Sequence, residues 1–120
     1  MGLLMSKHHK INYLEIPALD LVKTKAFFTE VFGWHFKDYG PEYSCFLDVG
    51  IDGGFYQAEQ GFTLGVGCPL IVLYSQCLET SERKVLAAGG AILKPVFSFP
   101  GGKRFHFADI NGNEYAVWSE

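Results

Sequence analysis

The chain has 120 residues, 48% apolar and 16% aromatic, with ten Lys and Arg against thirteen Asp and Glu for a net charge of −3. That is the size and make-up of one compact domain, which excludes a disordered chain, and the lack of a basic cluster excludes a phosphate-tracking nucleic-acid binder. No apolar run is long enough to span a bilayer, and the opening MGLLMSKHHK has too short an apolar stretch for a signal peptide, so a cytoplasmic protein is expected.

In chain order, INYLEIPALD is apolar and β-rich and predicts a strand that stops at Pro17, where a donor is lost. Asp20 is a candidate N-cap for a helix over LVKTKAFFTEVFGW, with Leu21, Phe27, Phe28, Val31 and Phe32 on one side and Gly33 as the C-cap. Three short strands follow, WHFKDY, YSCFLDV and GGFYQA, separated by the turn signals GPE and IDGG. The glycine-rich EQGFTLGVGC has no clear period and predicts a linker.

The order then repeats. LIVLYSQ reads as a strand and CLETSERKVLAA as a helix closed by Gly89 and Gly90. AILKPVF, KRFHFADI and EYAVWSE read as strands joined by the turns SFPGG and NGN. The second turn predicts a tight hairpin, because Asn and Gly accept positive φ cheaply. The expectation is an α+β domain over 11–118 with module one at 11–58, a linker at 59–68 and module two at 69–118, each module β-α-β-β-β.

INYLEIPALDLVKTKAFFTEVFGW resembles the entry strand and helix of the vicinal oxygen chelate superfamily, which includes glyoxalase I, bleomycin resistance proteins and extradiol dioxygenases. FADINGNEYAVW resembles the superfamily's closing strand, Asp-x-x-Gly-Asn turn and last strand. The resemblance covers nearly the whole chain after Lys10. It implies two tandem βαβββ modules whose sheets curl around a cavity, and a homodimer in which modules of two chains complete each cavity. One helix for four strands also leaves one face of each sheet to be covered or to line a cavity.

Metal-dependent members of that superfamily bring His, Glu or Gln ligands from the first and last strands of each module. Carried over by position, the resemblance places Tyr13, Leu70 and Ala116 there, with Gln57 the one candidate donor in the loosely aligned fourth strand. A catalytic divalent metal takes about three protein ligands, and Leu and Ala offer none. No metal and no other cofactor is therefore expected. The alternative is a divalent metal held through atypical ligands, Glu15, His106 and Gln57.

Strand alternation assigns the cavity face. Tyr13 and Glu15, then Leu70, Val72 and Tyr74, then Arg104 and His106, then Glu114, Ala116 and Trp118 point to it. Leu14, Ile16, Phe105 and Phe107 point to the helices. In YSCFLD, either Tyr43, Cys45 and Leu47 or Ser44 and Phe46 share that face. The ligand-binding candidates are Tyr13, Glu15, Tyr74, Arg104, His106 and Trp118, an aromatic set with a few polar groups.

Each has a structural alternative. Glu15 could pair with Arg104 across the sheet, His106 could be a hydrogen-bonded wall residue, and the aromatics could be packing. Lys103 and Arg104 at the SFPGGKR tip could attract an anion or be a solvated turn. Cys45 has no base beside it in sequence, and Cys45, Cys68 and Cys77 are widely spaced and odd in number, which reads as reduced thiols. His8, His9 and His35 suggest no site, and no phosphate loop or dinucleotide fingerprint is present.

Three functions fit. The first, and the preferred one, is metal-independent binding of a small molecule in an aromatic cavity. The second is a glyoxalase- or dioxygenase-type lyase or oxidoreductase using a divalent metal through atypical ligands, and the third is a dimeric interaction module without a ligand. Proton abstraction by Glu15 or His106 without a metal would be a further chemistry of the same face.

Overall fold

The computed structural model describes residues 7–120, so most of the apolar opening that bears on a signal peptide lies outside the described residues. The elements are β1 (Tyr13–Ala18), α1 (Leu21–Phe32), β2 (His35–Asp38), β3 (Tyr43–Leu47) and β4 (Asp52–Gln57), then β5 (Ile71–Tyr74), α2 (Leu78–Ala87), β6 (Ala91–Phe99), β7 (Gly102–Ala108) and β8 (Glu114–Ser119). Between β4 and β5 the chain makes one 3-10 turn at Leu64–Val66. The strands form two four-stranded sheets, ordered β1-β4-β3-β2 and β5-β8-β7-β6. In both, the first strand pairs parallel with the last, and the remaining pairs are antiparallel. The expected α+β plan of two βαβββ units is the observed one.

Local chemistry explains α1. The Asp20 carboxylate accepts from the Lys23 amide at the N-terminus, and Gly33 closes the helix at φ 73, a left-handed conformation that costs glycine nothing. Phe27, Phe28 and Val31 then recur on the buried face. The Phe28 ring lies 5.2 Å from Phe55 of the first sheet and 5.6 Å from Tyr115 of the second. Phe27 and Phe32 reach Phe107 at 6.1 and 5.8 Å. One helix thus packs on the inward faces of both sheets, and the two units share a single aromatic core.

The loop from Asp109 to Asn113 fastens that core. Asn111 Oδ1 accepts from the Leu19 amide at 2.9 Å, and its Nδ2 donates to Thr24 Oγ1 at 2.9 Å. Asn113 Nδ2 donates to the Pro17 carbonyl at 2.8 Å, and its Oδ1 accepts from the Phe62 amide at 2.8 Å. Asp109 organises the loop by accepting from the amides of Asn111 and Asn113 and from the Tyr115 hydroxyl. Burial pushes the Asp109 carboxyl above its usual range against these hydrogen bonds, and pushes the Tyr115 hydroxyl well up, with the Asp109 charge adding to the effect.

Several local expectations need correction. The NGN stretch is not a tight two-residue hairpin: Asp109 N donates to Asn113 O, and only Gly112 takes positive φ, at 85°. Its Asn side chains have long-range work instead. Pro17 lies inside β1, which is tolerated because β1 is an edge strand. Gly53 and Gly54 belong to β4, and the preceding turn is centred on Asp48 and Gly50, both at positive φ. Strand β6 continues through Pro95 to Phe99, with register shifts between Ile92 and Lys94 and between Lys94 and Phe97. Among the described residues, no helix is long and apolar enough to cross a membrane.

Candidate functional site

The inward faces are filled by the core, which leaves the outward face of each sheet. Cross-strand register defines the first. Glu15, Gly54, Cys45 and Lys37 form one row across β1, β4, β3 and β2, and Tyr43 stands opposite Tyr56. This settles the alternation in β3: Tyr43, Cys45 and Leu47 point outward, while Ser44 and Phe46 are buried in the core. The Tyr43 ring lies against Gly54, where a Cβ would stand 2.8 Å from the ring and 2.6 Å from the Ser44 carbonyl oxygen. Tyr13 Oη meets Tyr43 Oη at 2.6 Å and Cys45 Sγ at 3.6 Å. Burial, the hydrogen bond to Tyr13 and the nearby Glu15 push the Tyr43 hydroxyl far up, so it stays protonated.

The second outward face has different chemistry. One row is Val72, Ala116, His106 and Lys94, and the next is Tyr74, Trp118, Arg104 and Phe97. His106 is 1% exposed, and its Nδ1 lies 3.2 Å from Glu114 Oε2. Glu114 Oε1 accepts from the Leu64 amide at 3.0 Å. Burial pulls the Glu114 carboxyl upward, but the Leu64 amide and the His106 ring outweigh it and hold the group below its usual range. An ionised carboxylate can only accept, so Nδ1 carries the proton and the other nitrogen faces away. That atom, His106 Nε2, is buried and has no hydrogen-bond partner among the described residues.

Arg104 sits two residues along β7. Its guanidinium carbon lies 5.4 Å from the Phe97 ring centre and 5.4 Å from that of Phe99, a cation held between two aromatic rings. Its Nε is also buried without a partner, and among the described residues Arg104 forms no ion pair. The Phe97 ring also packs on His106 at 5.9 Å. Trp118 meets Tyr74 edge-on at 5.2 Å, and the Tyr74 hydroxyl donates to Glu120 at 2.6 Å, which pushes that hydroxyl up.

The six candidate residues therefore fall into two groups. Tyr13 and Glu15 are on the first sheet, and Tyr74, Arg104, His106 and Trp118 share one face of the second. Glu15 and Arg104 do not pair, because they sit on different sheets and Arg104 is clamped by Phe97 and Phe99. Sequence reasoning missed Phe97 and Phe99 because the bulges in β6 break strict alternation. It also missed Glu114 as the partner of His106, although parity had already put both on one face.

The positions that the resemblance marks for metal ligands do not fit a metal. Ala116 pairs with Val72, neither a donor, and Leu70 precedes β5. Gln57 is turned to the end of β1, its amide donating to the Leu19 carbonyl at 2.8 Å. Within one chain Glu15 and His106 lie on separate sheets, and among the described residues of that chain no three His, Cys, Asp or Glu side chains are grouped to hold an ion.

A concave groove of about 580 Å³ also runs where the two units adjoin, lined by Leu14, Trp34, Phe46, Val49, Val72 and Tyr74 among others. Of the six candidates only Tyr74 lines it. The groove brings the β1 and β5 sides of the two sheets to one apolar depression.

Comparison with protein-family models and with curated proteins finds no match. Solved structures do match. A glyoxalase-related enzyme from Fulvimarina pelagi is 20% identical, with a TM-score of 0.74 over 93% of this chain and 88% of that one. A glyoxalase/bleomycin resistance protein/dioxygenase family enzyme from Burkholderia phytofirmans is 17% identical, with a TM-score of 0.73 over 90% of this chain and 96% of that one. A genomically encoded fosfomycin resistance protein from Listeria monocytogenes is 18% identical, with a TM-score of 0.70 over 92% of each chain. At these identities the shared property is the fold, that of the glyoxalase/bleomycin resistance/dioxygenase proteins of the vicinal oxygen chelate superfamily.

Proposed function

From this fold and the two outward faces, we propose that the protein is a metal-independent small-molecule binding protein of the glyoxalase/bleomycin resistance superfamily, with the ligand held on the aromatic face of the second sheet. One observation carries the proposal. His106 Nε2 and Arg104 Nε are both buried, both lack a partner among the described residues, and both side chains lie against the ring of Phe97. An unsatisfied buried polar group costs about 1–3 kcal/mol, which a bound molecule with complementary atoms would recover. Tyr74 and Trp118 extend the same face as an apolar wall.

The protein works as a homodimer in this proposal. Tyr13 is 47% exposed and Tyr74 49% exposed, one on each outward face, which is costly apolar surface for a lone chain. In the dimer the first sheet of one copy covers the second sheet of its partner, so that Tyr13 and Glu15 complete the wall opposite His106 and Arg104. The three free thiols suit a cytoplasmic location.

The test is metal content by mass spectrometry on untagged protein purified without chelator, with thermal-shift titrations of nickel, zinc, manganese and iron(II). The expected result is substoichiometric metal and no shift. Stoichiometric metal, with a shift lost in Glu15→Ala or His106→Ala, would overturn metal independence in favour of a glyoxalase-type enzyme. Light scattering across a concentration series should give twice the chain mass, and a monomer at high concentration would remove the dimer.

A further inference from the structure

The chemistry of the second face narrows the ligand, on the premise that this face is the binding site. The Glu114 carboxylate has the Leu64 amide, the His106 ring and the charge of Lys94 around it, and Glu120 accepts from the Tyr74 hydroxyl. Arg104 differs: it is a cation beside two aromatic rings and, among the described residues, forms no ion pair. Such walls fix the plane of a guanidinium while leaving its edge free, and that edge matches a carboxylate with two parallel N–H donors. One such edge is filled by one carboxylate.

His106 specifies the second feature. In the neutral ring that carries its proton on Nδ1 toward Glu114, the unpartnered Nε2 presents a lone pair. It takes a hydroxyl or an N–H from the ligand. Arg104 and His106 are successive outward residues of β7, roughly 6.6 Å apart along the strand. Groups at opposite ends of one flat ring span a comparable distance.

Phe97 now occupies the space between them, packed on both His106 and Arg104. It is carried by β6, an edge strand whose register with β7 breaks on the Phe97 side of Lys94. The ring therefore stands next to the irregular stretch, at the first residue of the regular Phe97–Phe99 ladder, and a side-chain rotation moves it outward without disturbing that ladder. We infer that the second face binds a small monocarboxylic acid with a flat apolar body and a hydroxyl or N–H donor, the carboxylate on Arg104, the donor on His106, and Phe97 displaced to admit it.

The experiment titrates the full chain with 4-hydroxybenzoate, 4-hydroxybenzamide, benzoate and 4-hydroxyphenylphosphonate, following amide signals of β7 and β8 and the Nε2 nitrogen of His106 by NMR. The expected result is that 4-hydroxybenzoate binds, the neutral amide binds at least about tenfold more weakly, and benzoate is weakened by a smaller factor. The Nε2 resonance should move with the hydroxylated acid and not with benzoate. Arg104→Gln should erase the preference for acid over amide, and Phe97→Ala should tighten the acid by removing the ring it displaces. Phosphonate binding tighter than carboxylate would overturn the assignment of a monocarboxylate. An amide that binds as well as the acid, or an Arg104→Gln chain that still prefers the acid, would overturn the anion site while leaving small-molecule binding intact. No response to any of the four overturns this ligand class, and the proposed function then rests on its own test of metal content.

Discussion

The two sheets repeat one topology and differ in what they place on their outward faces. On the first, the central position of β4 is Gly54, and the Tyr43 ring folds over it to reach the Tyr13 hydroxyl. On the second, the corresponding position of β8 is Ala116, flanked by His106, whose Nδ1 meets Glu114 while its Nε2 and the Arg104 Nε have no partner among the described residues. A missing Cβ lets one face satisfy itself with its own hydroxyls. With Ala there, a phenylalanine from the neighbouring strand packs on the histidine and the arginine and offers their free nitrogens no partner. Topology fixes where outward positions fall, and small residues at the middle of the sheet decide whether side chains close over them.

The sharpest way to break this comparison is Gly54→Ala. Its new Cβ would meet the Ser44 carbonyl oxygen at 2.6 Å and the Tyr43 ring at 2.8 Å. The ring can rotate away, but the carbonyl belongs to the β3 backbone. The expected loss is about 3 kcal/mol in urea unfolding. Because the ring is only one of the two obstacles, Tyr43→Ala in the same chain should recover part of that loss and not all of it. A Gly54→Ala chain as stable as the parent would show that neither the Tyr43 ring nor the β3 backbone is held against this position in solution.

Next in size is Glu114→Ala on the second face. It strips His106 of its Nδ1 partner and the Leu64 amide of its acceptor, leaving two more buried polar groups unpaired. The expected loss is about 2 kcal/mol, with the His106 ring nitrogens shifting in NMR as the fixed tautomer is released. An unchanged nitrogen spectrum would mean that Glu114 does not orient the ring.

The contrast between the faces was only half visible beforehand. Local signals were enough for α1, where Asp20, the spacing of the phenylalanines and Gly33 each act within a turn or two. Alternation was enough to put Arg104, His106, Glu114 and Trp118 on one side of their strands. What escaped depends on partners far away in sequence. Asn111 and Asn113 read as turn residues, but their side chains bond to Leu19, Thr24 and Pro17, more than eighty residues back. Gly53 and Gly54 read as a turn because a ring destined to cover Gly54 leaves no mark in the local pattern. AILKPVF reads as a strand with strict alternation, and the bulges around Pro95 that carry Phe97 and Phe99 onto the face of Arg104 break that alternation. Nor could spacing reveal that Glu15 and Arg104 belong to different sheets.

Acidity offers a smaller handle, because two buried carboxyls near the second sheet shift in opposite directions. Asp109 is raised above the ordinary value of about 3.9, so its contribution to stability is full below that value and is lost as pH rises through the raised folded value. Glu114 is lowered, so its contribution is full above about 4.3 and is lost as pH falls through its folded value. Asp109→Asn should remove the loss on the alkaline side and leave the acid side in place. Urea midpoints from pH 3 to pH 7 for both chains would show this as a difference that grows with rising pH. A difference of constant size would mean that Asp109 is not shifted.

The smallest expected effect is also the one that tests whether the first face is covered. Tyr13→Phe removes one hydroxyl from the 2.6 Å contact with Tyr43 and leaves the ring in place. In a lone chain Tyr13 is half exposed, so water can replace the lost partner of Tyr43, and the cost should stay below about 0.5 kcal/mol. In a dimer whose second sheet lies over this face, the Tyr43 hydroxyl would be sealed from water and left unpaired, and the cost would rise toward about 1–3 kcal/mol. The same substitution measured at low and at high protein concentration therefore separates the two states. A cost that grows with concentration means that the face is buried between copies, and a small cost at every concentration means that the hydroxyl pair stays open to solvent.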